Sequence, residues 1–215
     1  MVSVRVGDDV ALQVHQCGGS IISSQWVLTA AHCRKNNNTN AYTVRAGVTN
    51  RTSKGWDYPV SDFIPHKWYR GENNTYDYDI AVIRIRGNFT FSASVQPIRL
   101  ANCVPRPGTV ANVDGWGRFS NRTHRSVPLR TVSVPILSED TCKWAYSHAT
   151  PRMLCAGYAD GGKDACTFDS GGALVADGEQ VGVVSAGPSC GRPCKPGIYT
   201  NVVYLRSWIT SVTGV

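Results

Sequence analysis

Short apolar or alternating runs recur along this chain, and turn residues close each of them. They fall at 20–28, 42–48, 79–85, 129–136, 173–176, 180–185 and 197–203. Val, Ile, Thr and Tyr dominate the runs, whereas Gly, Pro, Asn and Asp punctuate the gaps. β-Branched and aromatic side chains pack well on a pleated surface and lose rotamer freedom in a helix, so the runs predict strands. The pattern is that of an all-β fold with non-local pairing, a barrel or a sandwich. One helix is predicted over 204–213, where Tyr204, Leu205, Trp208, Ile209 and Val212 recur at helical spacing. A single helical turn is expected over 30–33. The stretch 101–108, with Pro105 and Pro107, reads as the connector between two halves. The chain shows no internal repeat and no low-complexity segment.

With 215 residues and 42% apolar content, the chain is long enough to bury a large core as one globular unit. It has no run of roughly 18 apolar residues, the length a membrane-crossing helix needs, so no membrane partner is expected. The formal net charge is +7, yet Arg and Lys are scattered without a block. That distribution supports weak attraction to acidic surfaces and predicts no nucleic-acid partner. Eight cysteines and five Asn-x-Thr sequons, at Asn37, Asn50, Asn73, Asn88 and Asn121, point to the secretory pathway. No leader is visible at Met1, so a mature segment is expected. Cys190 and Cys194 are the only pair spaced for a metal knuckle, and no second pair matches them, so disulfides are expected rather than a metal.

Three stretches carry candidate chemistry. His32 lies in Leu28-Thr29-Ala30-Ala31-His32-Cys33, between small residues and a cysteine. Asp79 lies in Tyr76-Asp77-Tyr78-Asp79-Ile80-Ala81-Val82. The apolar run begins directly after Asp79, which places that carboxylate to be buried; Asp77 is expected in solvent. Ser170 closes Asp164-Ala165-Cys166-Thr167-Phe168-Asp169-Ser170 and precedes two glycines. A serine hydroxyl is a weak nucleophile until an imidazole takes its proton. The imidazole in turn needs a carboxylate to fix its tautomer. His15, His66, His124 and His148 read as packing or surface residues.

The order His, Asp, Ser and the sequence around each resemble trypsin-like serine proteases of the chymotrypsin family. The resemblance implies two antiparallel six-stranded β-barrels, over about 1–100 and 109–204, with the C-terminal helix outside and the active site between them. It implies His32 as general base, Asp79 as its orienting carboxylate and Ser170 as nucleophile. The backbone N–H groups of Phe168 and Ser170 would form the oxyanion hole. Asp164 would sit at the pocket floor and select Arg or Lys, with Ala165 tilting the preference towards Arg. Ser185, Gly187 and Gly197 would shape the pocket walls. The implied disulfides are Cys17–Cys33, Cys142–Cys155 and Cys166–Cys190. Cys103 and Cys194 then either pair with each other, or Cys103 reaches an upstream segment. His15 matches a structural histidine beside the first disulfide.

Several positions depart from the family pattern. Phe168 stands where glycine is usual, and its ring is expected on the leaving-group side. Ser185-Ala186-Gly187 replaces Ser-Trp-Gly, and Ala173 replaces a proline. Ala111 and Ala176 stand where many relatives have a disulfide. Gly115-Trp116-Gly117 is retained and reads as packing beneath the cleft. Met1-Val2-Ser3-Val4 aligns with the first strand of the mature domain, so the usual Ile-Val-Gly-Gly start, whose amine pairs with the aspartate at position 169, is not in this sequence. The expected protein is a secreted, glycosylated, monomeric serine endopeptidase, made as a zymogen. It acts on protein or peptide substrates, is open to protein protease inhibitors and needs no cofactor. The alternative is a non-catalytic or weakly active homologue that binds a protein partner through the same cleft. A lectin-like or structural β-protein stands third.

Overall fold

The structure, a computed structural model, describes residues 1–7, 13–71, 75–119, 124–187 and 190–215, with backbone alone at 124 and 125. The sequons at Asn73 and Asn121 lie outside the described residues. The first half folds into β1 (Val2–Val6), β2 (Val14–Ile21), β3 (Trp26–Thr29), β4 (Tyr42–Ala46), β5 (Trp56–Pro65) and β6 (Ala81–Ile85). These pair in the order β1-β2-β3-β6-β5-β4, and β1 pairs β4 to close a barrel. Alternation decides which side chains go in. In β6 the apolar side chains are buried, while Arg84 points to solvent. Val2, Val4, Val27, Leu28, Val44, Val60 and Ile83 fill the interior.

The second half contains β7 (Arg99–Leu100), β8 (Val110–Gly115), β9 (Arg118–Phe119), β10 (His124–Arg125), β11 (Arg130–Pro135), β12 (Met153–Ala156), β13 (Ala173–Ala176), β14 (Glu179–Ala186) and β15 (Gly197–Asn201). Six of them run β11-β8-β13-β14-β15-β12, and β7 adds a parallel pairing to β14. Ile136, just past β11, bridges Ala156 of β12, so the sheet curls into a second barrel that is only partly closed, a half-barrel. Strands β9 and β10 form a small separate hairpin. The connector stretch 101–108 follows β7, and Ala101 N–H donates to the Gln180 carbonyl at 3.0 Å.

The predicted C-terminal helix is α2 (Arg206–Thr213), with Ile209 fully buried. Gly214 ends it in the left-handed region at φ 75°. A seven-residue helix, α1 (Glu139–Ala145), was not expected. Its hydrophobic face is too short for periodicity to reveal, but its start is coded locally. Ser138 Oγ caps the Thr141 N–H at 3.1 Å, with Glu139 and Asp140 in the first turn. The expected turn near residue 30 is a 3-10 turn over Ala31–Cys33.

The disulfides are Cys17–Cys33, Cys142–Cys155 and Cys166–Cys190. Cys103 and Cys194 are exposed free thiols, so they do not pair with each other. The first disulfide ties the His32 turn to β2. The second ties α1 to β12. The third ties the chain before Ser170 to the far side of the pocket.

Candidate active site

His32 is held at both its backbone and its ring. Ala31 and Cys33 on either side are buried, and the disulfide anchors the turn. Its backbone N–H donates to Asp79 Oδ1 at 2.9 Å, and its ring Nδ1 lies 2.7 Å from Asp79 Oδ2. Asp79 is completely buried. A buried carboxylate is costly unless donors surround it, and this one has them. Ser185 Oγ donates to Oδ2 at 2.6 Å. Thr200 Oγ1 donates to the Asp79 backbone carbonyl at 2.6 Å. An ionised Asp79 makes the ring N–H sit at Nδ1, which leaves Nε2 as the proton acceptor on the open side.

Ser185 thus faces Asp79 from the second barrel, a bond that its assignment to the pocket wall missed. The spacing of one strand to another across two barrels is invisible in sequence, so no local signal marked it.

Ser170 lines the same cavity as His32, a cleft of about 590 Å³ between the two barrels. Its carbonyl accepts from Gly18 N–H at 2.8 Å, which docks the serine loop on β2. Gly171 follows at φ 81°, and a Cβ there would lie 2.2 Å from Thr29 Oγ1. Only glycine lets the two barrels approach this closely.

The chain before Ser170 makes a β-turn, closed by Asp169 N–H on the Cys166 carbonyl at 2.9 Å. Phe168 occupies its third position at φ 78°. That is where a type II turn calls for glycine, so Phe168 keeps a glycine conformation at a steric cost. The Phe168 carbonyl is engaged by His15 Nε2 at 3.0 Å, and Ser3 Oγ lies 2.8 Å from His15 Nδ1. The Thr167 carbonyl accepts from Arg118 N–H at 3.0 Å. A trans peptide sets its N–H opposite its carbonyl, so the Phe168 N–H points away from Arg118. The Phe168 ring lies 5.7 Å from the Arg118 guanidinium.

Asp169 turns its carboxylate inward, onto Gly117 N–H at 2.7 Å and Cys166 N–H at 2.9 Å. Burial raises its pKa to about 6, against the pull of those two N–H groups. A Cβ at Gly115 or Gly117 would come within 1.8 or 2.4 Å of this carboxylate group. Gly115-Trp116-Gly117 is therefore the seat of Asp169 as well as packing.

Asp164 lines the cavity with Ala165, Ser185, Gly187 and Gly197. Its Oδ2 accepts from Gly191 N–H at 3.0 Å. A Cβ on Gly197 would lie 2.6 Å from Asp164 Oδ1, whereas one on Gly187 would meet open space. Ala186 also lines the cleft, which is wide where a tryptophan would narrow it.

One expectation needs correction. Asp77 is buried, not solvated. It accepts from Arg152 Nε at 2.8 Å and Nη2 at 2.7 Å, from Thr150 Oγ1 at 3.0 Å and from Tyr78 N–H at 3.0 Å. Burial alone raises this carboxyl, but those donors outweigh it and hold it below the ordinary range. Strand alternation failed here because the segment is not a strand. His148 is exposed at the surface, as expected, and lines the cleft. His66 is packed, as expected, but against Tyr78, with ring centroids 4.6 Å apart. The cluster of Cys17, His32 and Cys33 is no metal site, since its sulfurs are joined in a disulfide and offer no thiolate.

A family model described as Trypsin matches residues 1–209. Trypsin delta of Drosophila melanogaster is 43% identical over 203 residues, covering 92% of this chain and 78% of the relative. Trypsin 5G1 of Aedes aegypti is 40% identical over 206 residues, covering 94% and 76%. Trypsin-1 of Salmo salar is 39% identical over 201 residues, covering 92% and 81%. With this match running through the segments that bear His32, Asp79 and Ser170, the chain belongs to the trypsin family and is a trypsin-like serine endopeptidase.

Proposed function

We propose that this endopeptidase cleaves after Arg or Lys by an acyl-enzyme route, with Arg preferred. The observation that carries the reading is the His32–Asp79 pair at 2.7 Å in one cleft with Ser170, with Asp164 lining its pocket. His32 Nε2 takes the proton as Ser170 Oγ attacks the scissile carbonyl. Asp79 stabilises the imidazolium that forms, and Ser185 and the His32 N–H hold that carboxylate in its orientation. The N–H groups of Phe168 and Ser170 receive the negative charge on the tetrahedral oxygen. His32 then protonates the leaving amine, and water repeats the cycle on the acyl ester.

The Asp164 carboxylate supplies a negative end to the pocket, and Gly187 and Gly197 leave room for a long cationic side chain. Ala165 offers no hydroxyl, which favours the guanidinium over the ammonium, since Arg brings its own fork of donors. Protein inhibitors that present such a side chain are expected partners. No helix among the described residues is long and apolar enough to cross a membrane. Eight cysteines, three disulfides and exposed sequons at Asn37, Asn50 and Asn88 support a secreted glycoprotein.

Labelling with a serine-directed phosphonate tests the mechanism. Wild type takes one label at Ser170, and Ser170→Ala takes none and loses cleavage while its melting curve is unchanged. Full cleavage by Ser170→Ala would end the assignment. Profiling against a peptide library tests the pocket. Preference for aromatic or small residues would refute the role of Asp164.

A further inference from the structure

Just upstream of Asp79 the backbone is held in an uncommon form. Thr75, Tyr76 and Tyr78 have φ of 53°, 61° and 58°, and none is glycine. L-residues pay for that region, so such a run persists only where its surroundings over-determine it. The residue between them supplies the hold. Asp77 is gripped from the second barrel by the fork of Arg152, at 2.8 and 2.7 Å, and by Thr150. The same guanidinium lies 4.6 Å from the centre of the Tyr78 ring, which also stacks on His66. On the other side of Asp77, the Tyr76 ring meets His32 edge-on at 5.9 Å, and Thr75 and Tyr76 line the cleft.

Asp79 does not depend on this latch. It has its own bonds to His32, Ser185 and Thr200. We infer that Arg152 is a positioning residue for substrate binding: through Asp77 it holds the Thr75–Tyr76 wall of the cleft beside His32. The wall and Asp164 line one cavity, but Tyr76 meets His32 whereas Asp164 bonds Gly191 and faces Gly197, so substrate residues beyond the one that reaches Asp164 are expected to meet the wall. Loss of Arg152 therefore weakens the binding of extended substrates and spares both the pocket and the chemical step.

This role rests on the cleft being the substrate site, so the test uses two substrates sharing the pocket residue that wild type selects. One is a single-residue ester and the other a tetrapeptide amide. Arg152→Met is expected to raise KM for the tetrapeptide about tenfold, the scale of one lost contact set, with kcat within about twofold. KM for the ester stays within about twofold of wild type. Arg152→Lys, a point charge without the fork, gives an intermediate KM. Tyr76→Ala reproduces the rise, and adding Arg152→Met to it changes KM by less than about twofold, because the two act through one wall. Asp77→Asn, which keeps the shape and loses the charge, shifts the same split in the same direction and serves if Arg152→Met does not fold. An equal rise in KM for ester and tetrapeptide, a fall in kcat on both, or additive effects of Tyr76→Ala and Arg152→Met would overturn the role. If wild type cleaves neither substrate, the cleft reading itself fails; if it cleaves both and neither latch variant alters either KM, the latch alone fails.

Discussion

At the scale of single residues, Asp169 and Phe168 sit side by side and carry opposite lessons. Asp169 has a solvent-poor seat with two backbone donors, and among the described residues no cation pairs with it. Its folded pKa of about 6 stands above the unfolded value, so the native state binds the extra proton between roughly pH 4 and 6. Stability contributed by this group therefore rises as pH falls through that window and is lost as pH rises through the folded pKa. The difference is on the order of 3 kcal/mol. Denaturation of residues 1–215 against pH should show this slope, and Asp169→Asn should remove it. In a version starting Ile-Val-Gly-Gly, pairing of the new amine with Asp169 should reverse the slope and raise kcat/KM; equal slopes would show that no amine reaches the carboxylate. Phe168 is different because its cost is steric. Left-handed backbone costs an L-residue about 1–2 kcal/mol, while glycine loses about 0.5–1 kcal/mol in chain entropy. Phe168→Gly should thus leave stability within about 1 kcal/mol of wild type. Its effect should appear in the cleft instead. A missing oxyanion donor costs about 10²–10³ in kcat, but Phe168 keeps its N–H, so a gain of about tenfold or less in kcat/KM is expected. A macromolecular trypsin inhibitor should bind the variant more tightly. Unchanged kcat/KM and unchanged inhibition would show that the ring stands clear of the cleft.

At the scale of elements, the sequence was most informative where burial and period agree. The runs at 42–48, 79–85, 173–176 and 197–203 contain β4, β6, β13 and β15, because alternating β-branched residues have few alternatives to a half-buried strand. The helix at the C-terminus began at 206 instead of 204, since Tyr204 and Leu205 spend their spacing on the turn that docks it. What stayed hidden was of two kinds. Helix α1 is coded by its cap rather than its face. The bonds of Asp79 to Ser185 and Thr200, and of Asp77 to Arg152, join positions far apart in the chain. Motif context placed His32, Asp79 and Ser170 in one cleft, but it does not say who holds them. The cap of α1 can be weighed directly. Ser138→Ala should cost about 1 kcal/mol, and Ser138→Asp, which restores an acceptor at the same end, should recover most of it. Loss of cleavage as large as loss of stability would place α1 in the cleft machinery, which its contacts do not.

At the scale of the whole molecule, neither half carries a complete site. His32 and Asp79 come from the first barrel; Ser170, Ser185 and Thr200 come from the second. Bonds across the divide make the arrangement, and one of them joins residues that do not line the cleft. Gln180 is completely buried in β14. Its Oε1 accepts from Ser20 Oγ of β2 at 2.6 Å, and its Nε2 donates to the Gly182 carbonyl at 3.1 Å. Gln180→Leu keeps the volume and the backbone bond from Ala101, but strands a hydroxyl and weakens a carbonyl's satisfaction in the interior. Each unsatisfied buried group costs about 1–3 kcal/mol, so a loss of about 2–4 kcal/mol is expected. None of these atoms lines the cleft, so kcat/KM without denaturant should stay within about twofold of wild type. Because the site exists only while the barrels are docked, activity and intrinsic fluorescence should be lost together, at a lower denaturant concentration than in wild type. Trp26 of the first barrel and Trp116 of the second both report on the fluorescence. If activity vanished well before the fluorescence of either barrel changed, undocking would precede unfolding, and Gln180 would be a hinge contact instead of part of one cooperative core.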